Sequence, residues 1–180
     1  MDSPAEAEAQ CSFLELNGLV DGVITDDSDV FLFGARHVYR NMFDKGDFAH
    51  SYQMRSIEGD LGLDRTKLIL LALFLGSDYT LGIKGVGIVN AMEIVGAFET
   101  LESLERFKIW AEMPDVLMDD PSTHYKNSKP YFFYKPFNRF LVPAKELQYK
   151  LNHRNYKKHW EMPPNFPDTR VVEAYEKPHV

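Results

Sequence analysis

The chain has 180 residues, 44% of them hydrophobic, enough to bury a proper core and most simply forming one domain with a tail. A single cysteine, Cys11, excludes a disulfide framework, and no apolar run reaches the length of a membrane span, so an intracellular protein without a membrane partner is expected. The net charge of −7 is unevenly spread: residues 1–34 hold eight acids and no Lys or Arg, whereas residues 126–158 hold nine Lys or Arg against the single acid Glu146.

Ala5 to Leu16 is rich in Ala, Glu and Leu and ends at Asn17-Gly18, so the pattern predicts a helix with Glu6 and Glu8 in its first turn. Acids are favoured at that place by the helix dipole alone, which accounts for the pair without a ligand. Gly22-Val23-Ile24-Thr25 predicts a short buried strand, followed at once by Asp26-Asp27-Ser28-Asp29 and then by the apolar run Val30-Phe31-Leu32-Phe33. Carboxylates just past a strand end lie where open α/β sheets gather ligands. Three acids in four residues repel one another, so solvent or a cation must neutralise them; their position between two hydrophobic runs favours the cation. His37 to Phe43 predicts a further strand ending at the turn Asp44-Lys45-Gly46-Asp47.

Asp64 is a natural N-cap, and Leu68 to Leu75 is wholly apolar, which predicts a buried helix starting near Arg65. That helix delivers Asp78 into a glycine-punctuated turn, Gly82-Ile83-Lys84-Gly85-Val86-Gly87, after which Val89, Met92 and Val95 predict a second helix packed on one apolar face. Glycines let a backbone approach a ligand closely, and N–H groups at a helix start attract phosphate. The turn could therefore grip a nucleic-acid backbone without reading sequence, or be a plain helix hairpin. Phe98 to Trp110 is amphipathic, with Leu101, Leu104, Phe107 and Ile109 or Trp110 facing inward. Pro114 to Pro143 reads as a proline-broken insertion. From Ala144 to Trp160 helical composition returns, with Lys145, Lys150, Arg154, Lys157 and Lys158 interleaved with Tyr149, Tyr156 and Trp160, as on a phosphate-contacting surface or a solvated helix. Val171 to Tyr175 is expected to dock back onto the body.

Three motifs in this order, Ala5-Glu6-Ala7-Glu8-Ala9-Gln10, Thr25-Asp26-Asp27-Ser28-Asp29 and Gly76-Ser77-Asp78-Tyr79 with Gly82 to Gly87, resemble the internal nuclease region of the flap endonuclease and XPG family. The likeness is strongest to the XPG subfamily of excision-repair endonucleases, through Ile24 to Gly34, Tyr39-Arg40-Asn41 and Phe166-Pro167 with Val172 to Tyr175. It covers nearly the whole chain except residues 114–143. The resemblance implies an α/β fold: an incomplete PIN-like parallel-sheet core in residues 1–62, a helix–two-turn–helix in 63–112, and a proline-broken insertion with a basic extension in 113–180. It also implies that Glu6, Glu8, Asp27, Asp29 and Asp78 are the catalytic ligands of two Mg²⁺ ions, with Asp26 a neighbour outside the set. Gly82, Ile83, Lys84, Gly85, Val86 and Gly87 would bind DNA, with K⁺ at the turn.

The implied activity is Mg²⁺-dependent, structure-specific DNA endonuclease chemistry in nucleotide excision repair. Its setting is the nucleus, its substrates bubbles, flaps and other single-strand/double-strand junctions, and its partners repair-complex proteins. The family's N-terminal nuclease region has no counterpart here, so the chain is expected to be a fragment and weak or inactive alone. The alternative is a non-catalytic DNA-binding module derived from such a nuclease.

Overall fold

The computed structural model describes residues 6–43, 48–113, 143–153 and 159–180. Packing divides the chain into a first unit of residues 1–83 with 168–180 and a second unit of residues 84–167. This partition follows contacts, whereas the regions 1–62, 63–112 and 113–180 follow role; the 83/84 division falls inside the glycine turn.

In the first unit, helix α1 (Ala7–Leu16) ends at Asn17, after which Gly18 takes a positive φ of +69°. Glu6 is the N-cap in extended conformation, so only Glu8 lies in the first turn. Strand β1 (Val23–Ile24) pairs in parallel with β2 (His37–Arg40), and β3 (His50–Gln53) pairs antiparallel with β2. The parallel pair fits the α/β expectation. The expected buried strand at β1 is only half so, since Val23 is buried while Ile24 is 51% exposed. The antiparallel β3 and helix α2 (Met54–Leu61) were not anticipated: every β3 side chain is exposed and α2 buries only Met54, leaving little apolar period to read.

Val23, Val30, Phe31, Ala35, Val38 and Met54 form the core between sheet and helices, with Ile57 and Leu68 against it. Helix α3 (Arg65–Leu75) starts where expected: the Asp64 carboxylate accepts from the Lys67 N–H at 2.8 Å, and Ile69 to Phe74 are buried. From the start of α3, half-buried Arg65 donates to the Leu32 carbonyl at 2.8 Å and to the Tyr175 carbonyl at 2.7 Å. Tyr175 lies in helix α7 (Thr169–Glu176), which docks through Val171 and Tyr175 as expected.

The second unit contains helices α4 (Ile88–Ala97), α5 (Leu101–Glu112) and α6 (Ala144–Asn152). The expected face of α4 is corrected: Ala91, Ile94 and Val95 are buried, whereas Val89 is 69% exposed. A strict spacing of three drifts around a 3.6-residue helix, while 91, 94, 95 and the following Phe98 stay on one side. Between the two candidates on α5, Trp110 faces in with Leu104 and Phe107, and Ile109 faces out. Phe98, Phe107, Trp110, Tyr149, Trp160 and Phe166 pack ring against ring with centroids 5.2 to 6.5 Å apart. Residues 114–142, most of the expected insertion, lie outside the described residues, as do Arg154, Tyr156, Lys157 and Lys158. Among the described residues no helix is long and apolar enough to cross a membrane.

The Glu146 carboxylate, 1% exposed, accepts from Arg106 at 2.5 and 3.2 Å. Removing one partner of a buried pair strands the other, at about 3–5 kcal/mol. Arg106 keeps Glu102 as a second partner at 3.1 Å. Glu146→Ala is therefore expected to cost about 3 kcal/mol, the low end of that range, measured as the shift in urea denaturation. A loss under about 1 kcal/mol would show the pair to be no better than an exposed one.

Candidate metal and nucleic-acid site

The acidic site is built where four segments of the first unit meet. After β1, Thr25 to Asp29 is fixed locally: the Thr25 hydroxyl accepts from the Asp27 N–H at 3.1 Å, and Asp27 Oδ1 accepts from the Asp29 N–H at 2.9 Å. Asp26 points elsewhere, accepting from the Asn41 N–H at 2.7 Å and bonding Arg40 through its carbonyl, so it belongs to the sheet margin. The turn Asp29–Phe31 then carries Asp29 inward.

Asp78 arrives from the loop after α3. Gly76 ends the helix with φ +96°; the Ser77 N–H donates to the Thr80 carbonyl at 2.8 Å, and the Ile83 N–H returns to the Phe74 carbonyl at 2.8 Å. Gly82, at φ +71°, is required there, because a Cβ would stand 2.5 Å from the Gly76 nitrogen. This fold-back brings Asp78 close enough to Asp29 for the two carboxylates to influence each other. From α7 the Tyr175 hydroxyl donates to Asp29 Oδ2 at 2.6 Å. Tyr79 stands beside Tyr175, ring centroids 5.0 Å apart, and hydrogen-bonds Glu6.

Electrostatics bind the set together. Burial, and then the nearby Asp27 and Asp78 carboxylates, push Asp29 above the usual carboxylate range against the hydrogen bond from Tyr175. Burial and the Glu6 carboxylate push the Tyr79 phenol up to about 12. Burial, followed by the bond to Asp29, also raises Tyr175.

Asp27, Asp29 and Asp78 are thus brought together, and Glu6 joins through Tyr79. Glu8, half-buried in the first turn of α1, has no described hydrogen bond or ion pair to the other four. Among the described residues, no group of three or more Asp, Glu, His or Cys side chains stands close enough to hold a metal ion. Asp29 is engaged by the Tyr175 phenol, and Asp27 by its own turn. The donor set itself is hard oxygen, which suits Mg²⁺, an ion that commonly takes one or two carboxylates and keeps several waters. The role of Tyr175 escaped sequence reasoning, because no spacing rule pairs residues 146 apart.

Of the six turn residues, Gly82, Ile83 and Val86 are buried and only Lys84, Gly85 and Gly87 reach solvent. Lys84 is already paired, its ammonium 2.9 Å from the exposed Glu161 carboxylate, a link the sequence did not suggest. The basic surface expected from Lys145 onward is also partly engaged. Lys145 meets Glu99 at 2.9 Å, Lys150 lies over the Phe98 ring, and Tyr149 is buried. Gly85, at φ +91°, would drive a Cβ to 2.4 Å from the His159 carbonyl oxygen, whereas a Cβ on Gly87 meets nothing within 4 Å. Gly87 is the N-cap of α4, with Ile88 and Val89 exposed behind it.

The XPG I-region family profile matches residues 1–78. The mouse (Mus musculus) DNA excision repair protein ERCC-5 is 40% identical over 182 aligned positions, covering 100% of this chain and 14% of that protein. The solved catalytic core of Rad2 in complex with DNA substrate is 37% identical with a TM-score of 0.71, covering 100% of this chain and 50% of that one. The Holliday junction-resolving enzyme GEN1, solved with product DNA and Mg²⁺, is 26% identical with a TM-score of 0.60, covering 99% of this chain and 39% of that one. The chain therefore spans about half of the Rad2 core and 14% of mouse ERCC-5.

Gly85→Ala is expected to destabilise by more than about 2 kcal/mol through a left-handed φ and a backbone clash, while Gly87→Asp, a better N-cap at a helix N-terminus, leaves stability equal or raised by up to about 1 kcal/mol. Thermal unfolding of the two variants decides it. Equal losses would show that Gly87 is also held by packing.

Proposed function

The chain belongs to the XPG-like family of structure-specific nucleases of DNA repair, and on that premise we propose that it carries most of the catalytic carboxylates of such an endonuclease. The observation that supports this reading most is the convergence of Asp27, Asp29 and Asp78, with Asp29 held by the Tyr175 hydroxyl. In this reading Glu6, Glu8, Asp27, Asp29 and Asp78 hold two Mg²⁺ ions, whose chemistry is activation of a water and stabilisation of the leaving oxygen in phosphodiester hydrolysis. The exposed N–H groups after Gly87 meet a DNA phosphate in a helix–two-turn–helix across residues 63–112, with K⁺ at the turn. Such contacts fix the duplex by shape and read no bases. The substrates are single-strand/double-strand junctions in nucleotide excision repair in the nucleus, and repair proteins are the partners.

Catalysis by two metals needs both ions at a fixed spacing and the phosphate aligned between them; small misplacements cost orders of magnitude. Because no group of three or more Asp, Glu, His or Cys side chains among the described residues stands close enough to hold a metal ion, the 180-residue chain is expected to cleave DNA weakly or not at all, and more strongly with the family's N-terminal nuclease region added in trans. Robust Mg²⁺-dependent incision of a DNA bubble by the chain alone, abolished by Asp78→Ala, would refute that dependence. A second reading, DNA binding without catalysis, is favoured by the lack of a three-carboxylate metal group among the described residues. Failure of Mg²⁺ to support cleavage with the N-terminal region present would establish it.

DNA binding is expected to weaken steeply with salt and vary little with sequence. Gly87→Asp should lower affinity for bubble DNA at least tenfold in fluorescence anisotropy while the fold is kept. Unchanged affinity in that variant would move the contact away from the turn.

A further inference from the structure

We infer that Tyr175 is a positioning residue for the metal site, aiming the Asp29 carboxylate from helix α7, so that the segment 169–176 is part of the site rather than a brace outside it. The inference rests on the reading of Asp29 as a metal ligand and deepens it.

Four observations carry it. The Tyr175 side chain is fully buried, and its hydroxyl donates to Asp29 Oδ2 at 2.6 Å, a short bond to a carboxylate. The Ser77 side chain, one residue before Asp78, stands near enough to the hydroxyl to influence it. The ring is fixed on two sides, by Phe33 at 5.1 Å and Tyr79 at 5.0 Å between centroids. The backbone is fixed too: Arg65 reaches the Tyr175 carbonyl at 2.7 Å with the guanidinium that also holds the Leu32 carbonyl at 2.8 Å, three residues after Asp29. A side chain needed only to fill the core has no use for a hydroxyl aimed at a carboxylate; phenylalanine would pack the same space. Tyr175 thus bonds the turn that bears Asp29 while standing close to the loop that bears Asp78. Groups that hydrogen-bond a ligating carboxylate set its orientation, and losing one commonly lowers metal affinity about 10–100-fold.

The test is Mn²⁺ binding to the 180-residue chain, followed by the electron paramagnetic resonance of free Mn²⁺, with folding checked by circular dichroism. Tyr175→Phe, which removes only the hydroxyl, is expected to weaken Mn²⁺ about tenfold. Val171→Ala, buried on the same helix, is expected to lower the unfolding temperature and leave Mn²⁺ affinity as it was. Asp29→Asn should remove binding. If Tyr175→Phe binds Mn²⁺ as well as the parent or better while Asp29→Asn does not bind, Tyr175 is structural and the inference falls, with the metal-site reading intact. Equal weakening by Val171→Ala also overturns it, since docking of α7 would then be the cause. No Mn²⁺ binding by the parent chain, or binding indifferent to Asp29→Asn, overturns the metal-site reading and the inference with it.

Discussion

A half-buried carboxylate among other carboxylates is unfavourable unless donors or a cation face it, and the first unit is arranged around meeting that demand at Asp29. Three elements far apart in sequence supply what faces it: the turn after β1, the loop after α3 and helix α7. Arg65 joins two of these through the carbonyls of Leu32 and Tyr175. Burial lowers its pKa but leaves the guanidinium charged, so it works as a rigid fork rather than as a titrating group. The hydrophobic core of Val23, Val30, Phe31 and Val38 sets the depth at which this happens. It holds the acidic turn against the sheet, and the donors do the rest.

The second unit meets a different demand. Its helices carry long charged side chains close to an aromatic core, and each is accommodated by pairing or by an apolar stem. Arg106 with Glu146 is buried, Lys150 lies 5.4 Å from the Phe98 centroid, and His153 stacks on Tyr149 while bonding Glu93 at 2.9 Å. Charge that looked available for phosphate in the sequence is therefore partly committed to holding α6 onto α4 and α5.

How much of this was legible in the sequence varied with the range of the interaction. Helix α3 was readable because its cap, Asp64, and its apolar run lie within a dozen residues, and α5 because its large apolar residues Leu104, Phe107 and Trp110 are the ones that face in. The buried face of α4 was misread because apolar identity and burial part company there: Val89 is exposed next to the N-cap, and Ala91, which does face in, carries no strong signal. Strand β3 and helix α2 were invisible because Met54 is the one side chain between them that is fully buried. In the candidate site the acids were found by their density and by family likeness. Their support was not: Tyr175, Ser77 and Arg65 act across tens to more than a hundred positions, and such pairings are set by tertiary packing alone. The glycines illustrate the same limit from the other side. Gly82 and Gly85 looked like ligand-facing punctuation but are demanded by the protein's own backbone, and only Gly87 leaves open space above it.

The order in which the units follow one another along the chain has a bearing on how the protein is made. Residues 84–167 form an uninterrupted unit, whereas the first unit is split around it and needs residues 168–180 for completion. During synthesis, domains generally fold as they emerge. Asp27, Asp29 and Asp78 would all be present while α7 was still being made, lacking the hydroxyl that faces Asp29 and the carbonyl that engages Arg65. The acidic site then closes after the intervening unit has had time to form. Late closure of a contact with such sequence separation carries a loop-entropy cost that local helices do not. A cation encountered during that interval would meet a looser arrangement of carboxylates than the one in the finished fold.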